Sequence, residues 1–186
     1  MGLSTLKADC TQFLMIDMQE KLLPAISGQE NILRNSVKIL KGANILGIPV
    51  RYTEQYPRGL GNTVDRLSSL LTDHAARFEK THFSCMDEPG FANLYGKDRK
   101  QIVIFGIESH ICILSTVMDM LLKDFTVTVV ADACGSRLRK NHLYAMDTMS
   151  RNGALIIPTE SVIYQLIGEA GTPQFKQMLP LFKEKG

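Results

Sequence analysis

Ile102-Val103-Ile104-Phe105-Gly106-Ile107-Glu108-Ser109-His110-Ile111-Cys112 joins a strand signal, a turn and a helix start within eleven residues. Its first four residues are apolar without alternation, the character of a strand buried on both faces. Gly106 interrupts the run, and Ser109 reads as the N-cap of a helix over 109–123. Ile111, Leu114, Val117 or Met118, and Leu121 then fall on one face. Strand, turn and helix together form the repeating half-unit of a parallel α/β sheet.

Val127-Thr128-Val129-Val130 repeats the buried-strand character. Short β-branched runs alternate with helix-length stretches along the rest of the chain. The spacing predicts strands over 13–17, 50–53, 76–80, 102–106, 126–130 and 154–157. Leu33, Val37, Leu40 and Ala43 mark a helix that ends at Gly47 before Pro49. A further helix spans about 140–152 and stops at Gly153, and another follows Pro173. The Pro- and Gly-rich segment 54–63 reads as a loop. No repeat, linker or low-complexity tract divides residues 1–186, so one domain is expected.

Composition narrows the function classes. The chain has 186 residues, with 21 Lys and Arg against 19 Asp and Glu, and 45% of it is hydrophobic. That excludes a disordered chain, and a net charge of +2 gives no nucleic-acid footprint. Cys10, Cys85, Cys112 and Cys134 are too few for a disulfide scaffold. Apolar runs are strand-length, the first residues carry no signal-peptide core, and the Lys183-Glu184-Lys185-Gly186 end carries no anchor motif. Leu6 stands where a myristoylation signal opened by Met1-Gly2 needs Ser or Thr. A cytoplasmic protein with reduced thiols and no membrane partner is expected.

Several motif fragments lack the residues that their chemistry needs. Gly59-Leu60-Gly61-Asn62-Thr63-Val64 begins like a dinucleotide fingerprint but has no third glycine. Gly90 to Gly96-Lys97 imitates a phosphate-binding loop, with one intervening residue too many and Asp98 in place of Ser or Thr. Gly106-Ile107-Glu108-Ser109-His110 ends in His110 where a serine-hydrolase elbow closes on glycine. His74, His82, His110 and His142 show no metal-ligand spacing.

In open parallel sheets, reactive groups gather beyond the carboxyl ends of the strands. Asp17 ends the first predicted strand, Lys80 the third, and the fourth leads into the helix start that holds Cys112. A helix N-terminus and a nearby cation lower a thiol's pKa. Asp17 would take the thiol proton and return it to a leaving amine. Lys80 would keep Asp17 ionised, and backbone N–H groups would receive an oxyanion. Each residue also has a structural reading: Cys112 as a small core hydrophobe, Asp17 as a turn former, Lys80 as a solvated charge.

Four segments, in order, carry a resemblance. They are Ile16-Asp17-Met18-Gln19, Lys80-Thr81-His82-Phe83-Ser84, Gly106 through Ile113, and Val130-Ala131-Asp132-Ala133-Cys134-Gly135-Ser136-Arg137. Together they resemble the isochorismatase-like cysteine hydrolase family, and Thr53-Glu54-Gln55-Tyr56-Pro57 with Gly59-Leu60-Gly61 is similar to its isochorismatase domain-containing branch. The resemblance covers nearly the whole chain. It implies a three-layer Rossmann-like α/β fold with a six-stranded parallel sheet flanked by helices. It also implies a catalytic triad of Asp17, Lys80 and Cys112, and a cis peptide between Ile107 and Glu108 that turns the Glu108 N–H toward an oxyanion beside that of Cys112.

Two departures refine what is implied. Family members that hydrolyse nicotinamide hold a metal through Asp and His residues after the second strand, where this chain reads Thr53-Glu54-Gln55-Tyr56-Pro57-Arg58. Members that cleave isochorismate lack a cysteine nucleophile, whereas Cys112 is present. The expectation is therefore a hydrolase of a small amide or related carbonyl compound, using no metal and no cofactor. Glu54, Tyr56, Arg58 and Phe83 are candidate pocket residues. Homo-oligomers are common in the family, and apolar residues 117–122 are candidate contacts. Two alternatives remain: a protein of this fold that serves binding or assembly, and a thiol redox enzyme with Cys85 or Cys134 as the resolving cysteine.

Overall fold

A computed structural model describes residues 5–73, 75–95 and 99–183. Met1-Gly2, His74, the Gly96-Lys97-Asp98 end of the phosphate-loop imitation and residues 184–186 lie outside the described residues. In chain order the elements are β1 (Thr11–Ile16), α1 (Gln29–Leu46), β2 (Val50–Gln55), the single turns α2 (Pro57–Leu60) and α3 (Asp65–Ser68), and β3 (Ala76–Lys80). Then come β4 (Gln101–Ile107), α4 (Leu114–Leu122), β5 (Thr126–Gly135), α5 (Arg139–Arg151), β6 (Leu155–Ile157), α6 (Thr159–Ile167) and α7 (Pro173–Lys183).

All six strands are parallel, in the order β3-β2-β1-β4-β5-β6. The chain grows outward from β1 on one side and then restarts beside β1 with β4. Strand order therefore reverses between β1 and β4, where open α/β sheets bind their ligands. Phe13 to Ile16 and Ile102 to Phe105 have no exposed surface, as strands covered on both faces require. Edge strand β3 instead alternates between half-buried and exposed until Lys80, which is buried. The sequence thus anticipated the three-layer fold and all six strands.

Three differences are local. The β5 strand runs five residues past the expected 130, because a bulge sets Gly106 opposite Cys134 where an even register from Ile104↔Val129 would reach Ala131. No helix was expected over Thr159–Ile167; there Val162, Ile163 and Leu166 are buried, and Asp132 of β5 supplies the cap. Its Oδ1 accepts from the Thr159 N–H at 2.7 Å and the Thr159 hydroxyl at 2.8 Å. The third difference lies at the start of the α4 segment, where Ser109–Ile113 form a wide π-type turn. The N–H groups of Ile111 and Ile113 both donate to the Glu108 carbonyl, at 3.1 and 3.2 Å. Ser109 is no cap: its hydroxyl pairs with Nδ1 of His142 at 2.9 Å.

Candidate active site

Register brings the carboxyl ends of four strands to one level. Ile16 lies opposite Thr53 on one side and Gly106 on the other, and Gln55 lies opposite Lys80. Asp17 therefore leaves the sheet beside β2 and β4, with φ at 53°. A positive φ is uncommon for a residue other than glycine and clusters at functional sites. The Asp17 N–H donates to the Thr53 carbonyl at 3.2 Å, which holds this turn.

The three candidate catalytic residues meet there. Lys80 Nζ lies 2.8 Å from Asp17 Oδ2, with side chains 0% and 1% exposed. The Cys112 thiol is within hydrogen-bonding reach of the Asp17 carboxylate and is 7% exposed. Two further groups saturate the Lys80 ammonium: Gln55 Oε1 at 2.5 Å and the His82 carbonyl at 3.3 Å. Gln55 is itself fixed by Gln19, whose Oε1 accepts its N–H at 2.8 Å and whose Nε2 donates to its carbonyl at 3.0 Å. Thr53 donates to Asp17 Oδ1 at 2.7 Å. Sequence reasoning assigned no role to Thr53, Gln55 or Gln19; the signal was present only in the pairing of β1, β2 and β3.

The resting state of the thiol differs from the expectation. Burial pushes Cys112 up to about 12, and the Asp17 charge adds to this, while Lys80 opposes it. The helix start and the cation do not outweigh desolvation, so Cys112 rests as a thiol. A group able to take that proton lies beside it, the Asp17 carboxylate. Burial works against the Lys80 charge, but Asp17 and the two nearby cysteines carry its pKa above the ordinary value.

These shifts set an alkaline limit. Burial likewise pushes Cys85 up to about 12. A raised pKa means that the unfolded chain loses the proton first, so the stability is complete below about pH 9 and falls toward pH 12. Each buried thiol withdraws on the order of 2 kcal/mol by pH 10.5, and Lys80 acts in the same direction. Thermal unfolding should show the melting temperature falling steeply between pH 9 and 11. A flat profile over that range would contradict the burial of both thiols.

Tyr56 and Arg58 line a cavity of about 280 Å³ with Pro57, Glu79, Thr81 and Glu88, and this cavity reaches Lys80. Against the cost of its burial, hydrogen bonds from the His82 ring and the N–H groups of Thr81 and His82 hold Glu88 down at about 2. Glu88 thereby ties down the loop that follows Lys80. Two candidate pocket residues are placed elsewhere. Glu54 is buried: Oε1 accepts from the Thr63 N–H at 2.7 Å and its hydroxyl at 2.8 Å, and Oε2 pairs with Arg77 at 2.7 Å. It anchors the 54–63 loop to β3. Phe83 is 61% exposed and lines a separate groove with Ser84, Leu114, Met118 and Asp119.

The peptide between Ile107 and Glu108 is cis. Glu108 accepts from the Arg137 N–H at 2.9 Å and from Arg137 Nε at 3.1 Å, while His110 pairs with the Ser136 hydroxyl at 3.0 Å. With Ser109 and His142, three consecutive residues of the turn before Cys112 are thus tied to the segment that opens α5. All four cysteines are free. Among the described residues, no group of three or more His, Cys, Asp or Glu side chains could hold a metal ion. No helix among them is long and apolar enough to cross a membrane.

The isochorismatase domain model matches residues 11–161. Isochorismatase domain-containing protein 1 of Salmo salar is 40% identical over 176 residues, covering 93% of this chain and 61% of its own. The chain thus spans less than two thirds of that relative's length. A solved structure described as MAR1 ribonuclease from Caenorhabditis elegans superposes with a TM-score of 0.92 at 33% identity, covering 98% of this chain and 94% of the other. The YcaC gene product of Escherichia coli, described as an octameric hydrolase of unknown specificity, shares the fold with a TM-score of 0.91 at 21% identity, covering 98% and 91%. The match over residues 11–161, with the 40% identity to the Salmo salar relative, leads to one family: the chain belongs to the isochorismatase domain family.

Proposed function

We propose that this protein is a metal-independent cysteine hydrolase that cleaves a small amide, or a related carbonyl compound, through a thioester on Cys112. One observation carries the reading: a buried carboxylate, Asp17, touches both a protonated thiol and a lysine ammonium at the topological switch of the sheet. Cys112 Sγ attacks the carbonyl carbon while its proton passes to Asp17. The backbone N–H groups of Glu108 and Cys112 receive the oxyanion. Collapse expels the amine, which takes the proton from Asp17 and leaves a thioester. Water then adds, giving its proton to Asp17, and collapse releases the carboxylic acid and returns the proton to Cys112. Lys80 offsets the Asp17 charge before and after each transfer.

The cavity beside Lys80 suits a small molecule, with Tyr56 and Arg58 at its wall. A nucleophile only 7% exposed is poorly placed for a polymer, so the ribonuclease description of the C. elegans protein is a second reading that the same assay tests. The octameric E. coli protein supports a homo-oligomer here too, with exposed Phe83 and Leu122 available for contacts. Reduced cysteines and a thiol nucleophile suit the cytoplasm.

The test incubates the full chain with a panel of small primary amides and, in parallel, with single-stranded RNA, following ammonia release, covalent adducts by intact mass and strand cleavage. Wild type should gain the mass of one acyl group, Cys112→Ala none, and a chelator should change nothing. Asp17→Asn should lower turnover by about 10³-fold or more. Ammonia release that survives in Cys112→Ala overturns the proposal. So does cleavage of single-stranded RNA by the wild type with no amide turned over.

A further inference from the structure

We propose that Thr53 is a positioning residue: its hydroxyl, backed by the Cys85 thiol, fixes one oxygen of Asp17 and leaves the other open to receive the proton of Cys112. The proposal rests on Asp17 being the proton acceptor. Its geometry is a buried line of three groups. Thr53, 1% exposed, donates to Asp17 Oδ1 at 2.7 Å. Asp17 Oδ2 faces the Lys80 ammonium at 2.8 Å, which takes one of its lone pairs and leaves the second for the proton of Cys112. The two carboxylate oxygens therefore have different partners, a neutral hydroxyl on Oδ1 and the ammonium on Oδ2.

Cys85 stands behind this contact. It has no exposed surface, and its thiol lies within hydrogen-bonding reach of the Thr53 and Thr116 hydroxyls. Thr116 is held in turn, because its Oγ1 accepts from the Cys85 N–H at 3.0 Å. Burial pushes the Cys85 thiol up to about 12, so it is a donor throughout the neutral range. A threonine hydroxyl has a single proton to give. When Oγ1 accepts from Cys85, that proton is directed at Asp17. The terminal torsion of an aspartate is broad; pinning Oδ1 removes that freedom, and positional errors of about 1 Å cost about 10²-fold in rate. Cys85 thus acquires a role that needs no disulfide partner.

The experiment uses iodoacetamide on the full chain, with carbamidomethylation of Cys112 followed by peptide mapping from pH 6 to 10. Where Asp17 accepts the proton, the wild-type rate should be level up to about pH 8, since Cys112 is still a thiol there and its proton passes to Asp17 rather than to hydroxide. Asp17→Asn should lose that plateau and rise about tenfold per pH unit, as a bare thiol of high pKa does. Thr53→Val should lower the plateau at least about tenfold, Thr53→Ser should restore it to within about threefold, and Cys85→Ala should lower it by about two- to fivefold. A loss that Thr53→Ser does not rescue would mark a merely structural role and overturn the proposal. A wild-type profile without a plateau, or one that Asp17→Asn leaves intact, overturns both the role of Asp17 and this proposal. A plateau lost in Asp17→Asn but unchanged in Thr53→Val overturns the positioning role alone. Should Thr53→Val not fold, Cys85→Ala decides: an unchanged plateau overturns the proposal, and a two- to fivefold drop supports it.

Discussion

Gly106→Ala is expected to destabilise the protein by about 4 kcal/mol or more, a large share of the roughly 5–15 kcal/mol that holds an ordinary domain folded. Two independent costs combine at this position. Its φ is +126°, a conformation that side chains rarely adopt. A Cβ there would lie 2.1 Å from the Ile16 carbonyl oxygen and 2.8 Å from the Ile16 nitrogen. Both are backbone atoms of β1, so no rotamer change relieves the overlap, and β1 and β4 would have to separate where Asp17 and the turn before Cys112 meet. Gly28→Ala isolates the conformational part: its φ is +73°, but nothing lies within 4 Å of the added carbon. That change should cost only about 1 kcal/mol. Urea unfolding of both variants checks the contrast, and similar midpoints would show that the close approach of β1 and β4 is not required.

The sequence reveals this architecture wherever a signal is local. Ile102 to Phe105 and Phe13 to Ile16 are legible because strands buried on both faces are apolar without alternation. Leu33, Leu40 and Ala43 are legible because a helix packed on one side repeats its apolar residues. The meeting of the three candidate residues could be approached for the same reason, since each ends a strand or begins a helix. What escaped was set by partners distant in sequence. Glu54 reads as a polar loop residue, and only Arg77 and Thr63 make its burial tolerable. The α6 helix has nine residues and draws its cap from Asp132, 27 residues earlier. The Cys112 thiol follows a helix start, which argues for a lowered pKa, but packing around it reverses the sign. Thr53 contributes through register alone: one residue of slip would turn its hydroxyl to the other face of the sheet.

Lys80→Met is expected to cost about 3–5 kcal/mol at pH 7, although methionine fills much of the same volume. The loss comes from what remains. Asp17 would keep its buried carboxylate with Thr53 on one oxygen and no cation on the other. Removing one member of a buried pair leaves an uncompensated charge, whereas replacing both members with neutral groups does not. Asp17→Asn combined with Lys80→Met should therefore recover most of the stability lost in Lys80→Met, while remaining inactive toward any substrate that the wild type turns over. Urea midpoints for the three proteins at pH 7 decide the matter. A double variant no more stable than Lys80→Met would mean that Lys80 stabilises the fold by packing, and that the 2.8 Å ion pair exists for the chemistry of Cys112 alone.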